Sequence, residues 1–160
     1  MIDCDDKSPK NIESNVVLGI DLGTTNVCVA VIENGKTKVI PTSLGNNTMP
    51  SMIGWSKTND RIIGHEAFKQ QITNPEHIIY DSKRFIGRRW ENYDVQNALK
   101  KVPFEALKGF NGDIRLMVNG LSYSAAELAS MLLCQVRLNA EKFLGYSVKN
   151  AIITVAAYFN

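Results

Sequence analysis

The chain has 160 residues, of which 44% are hydrophobic and 21% are charged, and its formal net charge is +2. This length and composition are typical of about one globular domain with a sizeable hydrophobic core. A net charge so close to zero argues against a nucleic-acid-binding or membrane-surface protein, which would need clustered lysine and arginine. We therefore expect neither nucleic acid nor a membrane as a partner.

Residues 1–15 are polar and acidic, and they lack the apolar segment of a secretory signal peptide. They also lack the arginine-rich, acid-poor composition that is typical of a mitochondrial transit peptide. No apolar run approaches the ~20 residues that a membrane span requires. We interpret this stretch as a disordered leader and expect a cytoplasmic protein, with a mitochondrion or a mitochondrion-derived organelle as the alternative location.

The first elements after this leader are three predicted strands joined by tight turns. Residues 16–20 form a continuous apolar run, which is typical of a strand buried on both faces. Val27, Val29 and Val31 alternate with other residues, and this spacing predicts a second strand. Asn34-Gly35 then predicts a two-residue hairpin turn into a third strand at residues 36–40.

The middle of the chain contains short predicted elements of both types. Residues 52–55 predict a fourth strand, and residues 64–73 predict a helix. Residues 80–90 (YDSKRFIGRRW) predict a short helix ended by Gly87, and residues 93–101 predict another. Further on, two Asn-Gly pairs predict a small antiparallel meander over residues 104–123.

The last third of the chain predicts one long helix followed by a strand. Ser124 and Glu127 have the spacing of a capping box, which begins a helix running to about Leu144 with Gly145 as its C-cap. Its predicted buried stripe consists of Ala129, Leu132, Leu133, Val136, Ala140, Phe143 and Leu144. Residues 151–155 (AIITV) predict a further buried strand, reached by a connection that fits a parallel crossover. The predicted class is mixed α/β.

The turn between the first two strands contains the sequence DLGTT, which has two interpretations. Gly23 lets a ligand approach the backbone and permits a left-handed bend, and the N–H groups of Gly23, Thr24 and Thr25 could form a nest for phosphate oxygens. Asp21 would repel a bare phosphate, so it implies a cation such as magnesium, which takes one or two carboxylates together with phosphate oxygens and water. The alternative is that Asp21 and Thr24 only satisfy a hairpin turn through their own side chains.

Several blocks of the sequence, in the right order, resemble the seventy-kilodalton heat-shock chaperone family. These blocks are GIDLGTTNVCVAV, GHEAFKQQITNP, YDSKRFIGRRW and FLGYSVKNAIITVAAYFN. The resemblance implies that residues 16–160 are the amino-terminal lobe of an actin-like (ribonuclease H-like) ATPase domain. Such a lobe has a mixed sheet with flanking helices and a small α+β subdomain, here inserted at about residues 48–119. It also implies that the chain is truncated before the second lobe.

The resemblance assigns roles to particular residues. Residues matching the family's loop around the β- and γ-phosphates are Gly23, Thr24, Thr25 and Asn26, while Asp21 matches the carboxylate that holds magnesium through water. Lys83 matches the lysine that reaches the γ-phosphate and the attacking water, a role that suits a compact point charge. Without the resemblance, Lys83 would be interpreted as a solvent-exposed helix lysine.

Two positions depart from the family's pattern. Ala156 replaces a proline that is thought to relay the nucleotide state toward the peptide-binding domain, and Met49 replaces a threonine. The family resemblance implies ATP or ADP and Mg²⁺ as cofactors. It implies unfolded client proteins and cochaperones as partners of a full-length protein, whereas a fragment is expected to self-associate.

Three functions remain open from the sequence. The first is an ATP-dependent chaperone, of which this chain is one lobe; the full-length protein would hydrolyse ATP and the lobe alone would not. The second is a non-catalytic fragment, degenerate paralogue or binding module that keeps the fold. The third is another actin-like protein such as a sugar kinase, against which KRFIGRR and FLGYSVKNAIITV argue.

Overall fold

Three β-sheets and three α-helices are formed by residues 15–155, the part of the chain that the computed structural model describes. The strands are β1 (Val17–Leu22), β2 (Asn26–Glu33), β3 (Lys36–Val39), β4 (Met49–Pro50), β5 (Ile53–Trp55), β6 (Arg61–Ile63), β7 (Ile78–Ile79), β8 (Glu105–Lys108), β9 (Ile114–Val118), β10 (Leu121–Ser124) and β11 (Asn150–Ile153). The helices are α1 (His65–Gln70), α2 (Tyr93–Leu99) and α3 (Ala125–Leu144). The predicted mixed α/β class is confirmed.

The largest sheet has the strand order β11-β1-β2-β3, and β4 also pairs with β2. Strands β1, β2 and β3 are antiparallel neighbours, as the sequence predicts, and Asn34 and Gly35 both have positive φ in the turn between β2 and β3. This backbone geometry matches the twist of a hairpin. Strand β11 pairs in parallel with β1, and α3 lies between them in sequence. The predicted parallel crossover is therefore confirmed.

The prediction that β1 and β11 are buried strands was wrong. Along β1, Leu18 and Ile20 are buried, but Val17 and Gly19 are exposed. All four residues of β11 are exposed. The physical reason is that α3 packs against one face of the sheet only. An apolar run therefore occurs here in a strand with one covered face and in a strand at the sheet's edge.

Helix α3 forms largely as predicted. The Glu127 N–H donates to the hydroxyl of Ser124 (3.1 Å), while the Ser124 N–H donates to the Glu127 carboxylate (2.6 Å). Gly145 ends the helix in a left-handed conformation with φ of 80°. The buried face matches the predicted stripe only in part. Leu128 and Met131 are buried although they lie outside the stripe, whereas Phe143, in the last turn, is 43% exposed. The Phe143 ring lies under the ammonium of Lys38, at 5.4 Å from the ring centre.

Two small sheets lie between β4 and α3 in the sequence. One has the order β6-β5-β7, and the other is the predicted meander, with the order β10-β9-β8. Trp55 of the first sheet stacks on Tyr123 of the second, with ring centres 4.9 Å apart. Buried residues of all three sheets and α3 belong to one hydrophobic cluster. The boundaries of an inserted subdomain at about residues 48–119 stay a prediction.

The predicted helix at residues 80–90 is only a short 3₁₀ turn at Ser82–Phe85. Asp81 before it and Gly87 after it both have positive φ, so a helix has room for little more than one turn between them. The predicted helix at residues 64–73 is likewise shorter, His65–Gln70. Residues 1–14 of the predicted leader and Ala156 lie outside the described residues.

Candidate phosphate-binding site

The turn between β1 and β2 contains the predicted phosphate loop, residues 23–26. Gly23 does not adopt the left-handed conformation that the sequence suggested, because its φ lies outside the positive range. Its lack of a side chain is required for another reason. A Cβ built on Gly23 would lie 2.3 Å from the carbonyl oxygen of Asn26, so the turn can close this tightly only with glycine.

A buried serine anchors this turn from the interior side. Strand β4 pairs with the beginning of β2, which brings the following residue, Ser51, next to the turn. The Ser51 N–H donates to the carbonyl of Thr25 (2.8 Å), and its hydroxyl donates to the carbonyl of Gly23 (2.9 Å). Ser51 is only 4% exposed, whereas Thr25 and Asn26 are exposed. The turn therefore has a fixed inner side and an open outer side.

Lys83 reaches the same turn from a distant part of the chain. It lies on the 3₁₀ turn Ser82–Phe85, which is fixed by the buried Phe85 and Ser82. The Lys83 Nζ donates a hydrogen bond to the backbone carbonyl of Leu22, 61 positions earlier in the sequence. Leu22 lies between Asp21 and Gly23, so the predicted lysine and the predicted phosphate loop form one cluster. The neighbouring Arg84 instead pairs with Asp81 at 2.8 Å.

Asp21 lies at the same end of the sheet and is exposed to solvent. Its Oδ1 accepts a hydrogen bond of 2.7 Å from the hydroxyl of Thr154, which follows β11. The N–H of Thr154 donates to the carbonyl of Ile20 (2.9 Å), so the backbone of this segment is fixed to β1 as well. The orientation of the Asp21 carboxylate is thus controlled by the parallel pairing of β11 with β1.

The donor set fits a hydrated magnesium ion only together with a phosphate. Among residues 15–155, no three histidine, cysteine or acidic side chains are grouped so that they could hold a metal ion. Asp21 supplies one carboxylate beside a turn with an open outer side. Magnesium retains most of its waters and takes one or two carboxylates plus substrate phosphates, so a single carboxylate beside a phosphate loop is consistent with its coordination.

The departure at Met49 has a packing explanation. Met49 is 5% exposed and pairs with Val27 in the sheet. A Cβ on Gly64 would lie 2.5 Å from its Cγ, so the methionine side chain fills the space beside that glycine. The thioether sulfur also accepts a long contact of 3.9 Å from the Asn139 amide. Met49 therefore supports the elements under the turn through packing.

Sequence reasoning missed Ser51 and Thr154. The only signal for either was a hydroxyl residue inside an apolar stretch, MPSMIGW and IITV respectively. Hydroxyl residues in such runs commonly satisfy a neighbouring backbone group, and pairing across the sheet decides which group that is. Neither contact could be assigned before the strand register was known.

The sequence model of the Hsp70 protein family matches residues 17–160, which includes all the elements described above. The chain therefore belongs to the Hsp70 family. Within residues 15–155, no helix combines the length and the apolar character that crossing a membrane would require.

Proposed function

We propose that this chain is the amino-terminal lobe of the actin-like ATPase domain of an Hsp70-type chaperone, and that it binds the phosphates of Mg-ATP. Membership of the Hsp70 family supports nucleotide and magnesium as ligands in general. The observation that carries the proposal for this chain is the contact between Lys83 and the carbonyl of Leu22, which joins a cation to the glycine-containing turn.

The residues of the cluster suit a phosphate chain for separate reasons. The outer side of residues 23–26 offers backbone N–H groups and threonine hydroxyls, which are donors for phosphate oxygens. Lys83 is a flexible point charge that can leave the Leu22 carbonyl for a more negative partner. Asp21 would hold the waters of a magnesium ion, which neutralises phosphate charge and orients the phosphates when it is bound.

In a complete protein, ATP binding and hydrolysis at this site would control the binding and release of unfolded client proteins, with cochaperones as further partners. This part of the proposal rests on family membership alone. A cytoplasmic location, with a mitochondrion or a related organelle as the alternative, stays a proposal as well.

For the polypeptide of residues 1–160 itself, we expect weak binding and no useful hydrolysis. Asp21, Thr25 and Asn26 face solvent. In nearly bulk water a close charge pair contributes only about 1 kcal/mol, against several in a closed site. A nucleotide affinity no better than roughly millimolar follows, which corresponds to about 4 kcal/mol.

Calorimetry with Mg-ATP on purified residues 1–160 tests this proposal, supported by amide NMR spectra to detect millimolar binding. As Mg-ATP is added, the wild type should show saturable chemical-shift changes at the amides of residues 23–26. These changes should be smaller in Lys83→Gln at the same nucleotide concentration. Lys69→Gln is the matched control, since Lys69 pairs with Glu66 on α1. Absence of any effect at residues 23–26 would favour the non-catalytic binding module, whereas micromolar affinity or steady phosphate release would contradict the expected weakness of the lobe.

A further inference from the structure

The anchoring of the turn by Ser51 determines where one backbone donor points. Residues 15–155 contain no cis peptide bond, so the bond between Gly23 and Thr24 is trans and planar. In such a bond the C=O and N–H groups point in opposite directions. The Gly23 carbonyl is directed at the Ser51 hydroxyl, 2.9 Å away. The N–H of Thr24 is therefore directed away from the buried serine, toward the outer side of the turn.

A second hydrogen bond prevents the turn from rotating as a unit. The Ser51 N–H holds the carbonyl of Thr25 at 2.8 Å. The peptide group before Thr24 and the peptide group after Thr25 are thus both anchored to the same buried residue, which is 4% exposed. The main-chain bond would survive substitution of the side chain, whereas the bond to the Gly23 carbonyl depends on the hydroxyl.

We propose that Ser51 is a positioning residue for phosphate binding, because its hydroxyl keeps the Thr24 N–H aimed at the ligand. This inference rests on the proposed function, since the ligand is the phosphate chain of a nucleotide. Removing the hydroxyl leaves the partly buried Gly23 carbonyl without its donor, and the peptide group then rotates toward another partner. The Thr24 N–H turns with it, and a donor is lost from the phosphate side.

The test uses residues 1–160 labelled with ¹⁵N, with Mg²⁺ and inorganic triphosphate as the probe. The residual dipolar coupling of the Thr24 N–H reports the direction of this bond in the free protein, and the Thr24 amide shift reports binding. Ser51→Ala should change the coupling and weaken triphosphate binding by roughly threefold to tenfold, the range expected for one hydrogen bond. Heat denaturation separates this effect from a general loss of stability.

Two further variants sharpen the test. Ser130→Ala is the matched control. The Ser130 hydroxyl donates to the carbonyl of Glu127 (2.7 Å) within α3, so this substitution deletes the same kind of bond elsewhere. It should leave the Thr24 coupling and the affinity unchanged. Ser51→Cys keeps a side chain of similar shape with a weak donor, and it carries the test if Ser51→Ala does not fold. We expect it to behave like the alanine variant.

The outcomes separate this inference from the proposed function. If wild type does not bind triphosphate, the proposed function fails, while the Thr24 coupling still decides whether Ser51 orients the peptide group. An unchanged coupling in the Ser51 variants would overturn the inference. It would also be overturned if the coupling changed but the affinity stayed equal to that of Ser130→Ala.

Discussion

The hydroxyl of Thr154 donates a 2.7 Å hydrogen bond to Oδ1 of Asp21, and the two residues are 133 positions apart in the sequence. One oxygen of the carboxylate is thereby held by the segment that follows β11. The side chain predicted to hold magnesium thus depends for its orientation on the last described strand.

We predict that Asp21→Asn removes most of the enhancement of ATP binding by Mg²⁺, because it deletes the negative charge that attracts the hydrated ion. Thr154→Val keeps the side-chain shape and removes only the hydroxyl, so the enhancement should fall by roughly twofold to threefold. The measurement is the ratio of ATP dissociation constants with and without Mg²⁺. Thr73→Val, at an exposed hydroxyl, is the control. A wild-type ratio in Asp21→Asn would refute the magnesium assignment.

Lys83→Ala should nearly abolish ATP hydrolysis while nucleotide stays bound, when this lobe is fused to the remainder of a family member's protein. The charge of Lys83 is needed where negative charge shifts during transfer, more than for affinity in the ground state. Single-turnover hydrolysis and nucleotide affinity should be measured in parallel, with Lys69→Ala as the control. Unchanged turnover in Lys83→Ala would show that Lys83 has no catalytic role.

Gly23→Ala should destabilise the chain and distort the turn, because its Cβ would lie 2.3 Å from the Asn26 carbonyl oxygen. Relieving this backbone clash should lower the free energy of unfolding by about 1–3 kcal/mol. Gly19→Ala, on the preceding strand β1, is the matched control, since its Cβ would meet the Ala30 carbonyl at an ordinary 3.7 Å. Urea unfolding measures both variants. Equal stability of the two would mean that the turn adjusts without cost.

The capping box of α3 predicts a loss of stability in acid. The Ser124 backbone N–H, then its hydroxyl, and then the charge of Arg115 lower the pKa of Glu127. A carboxylate whose pKa is lowered by folding contributes fully above its unfolded pKa of about 4.3, and this contribution is lost as the pH falls through the folded pKa. Because the Glu127 side chain is 45% exposed, we expect this loss to lower the free energy of unfolding by only about 0.5–1 kcal/mol.

Urea unfolding between pH 6 and pH 3 checks this prediction, with pH values chosen around the glutamate range of about 4. Glu127→Gln should flatten the pH dependence relative to wild type. Glu66→Gln, which removes an exposed partner of Lys69, should leave it nearly unchanged. If Glu127→Gln follows the wild-type curve, the capping box does not contribute through its charge.

Local patterns predicted the elements whose signals lie within a few residues. The Asn34-Gly35 hairpin, the Ser124–Glu127 capping box and the Gly145 C-cap depend on neighbouring residues, and all three were confirmed. The candidate site needed the family resemblance as well. Nothing local distinguishes Lys83 from a surface lysine, because its approach to Leu22 depends on how the intervening sheets pack.

Burial was harder to predict than strand position. The apolar runs at residues 16–20 and 151–155 are both typical of central strands. An apolar run alone, however, does not determine whether one face or both faces of a strand are buried. Leu18 and Ile20 contact the core, while Ile152 is 72% exposed. Such information comes only from which elements pack on the sheet, and a single sequence does not contain it locally.

The two edge strands of the largest sheet, within the described residues, differ in charge. Strand β3 ends the sheet with Lys36 and Lys38, and charged side chains of this kind discourage another strand from pairing there. Strand β11 ends it with Asn150–Ile153, which has no charge. If two copies of residues 1–160 meet by strand pairing, they will therefore join β11 to β11. This pairing uses the uncharged edge strand of both copies, so association stops at a closed two-fold dimer and does not continue into fibres.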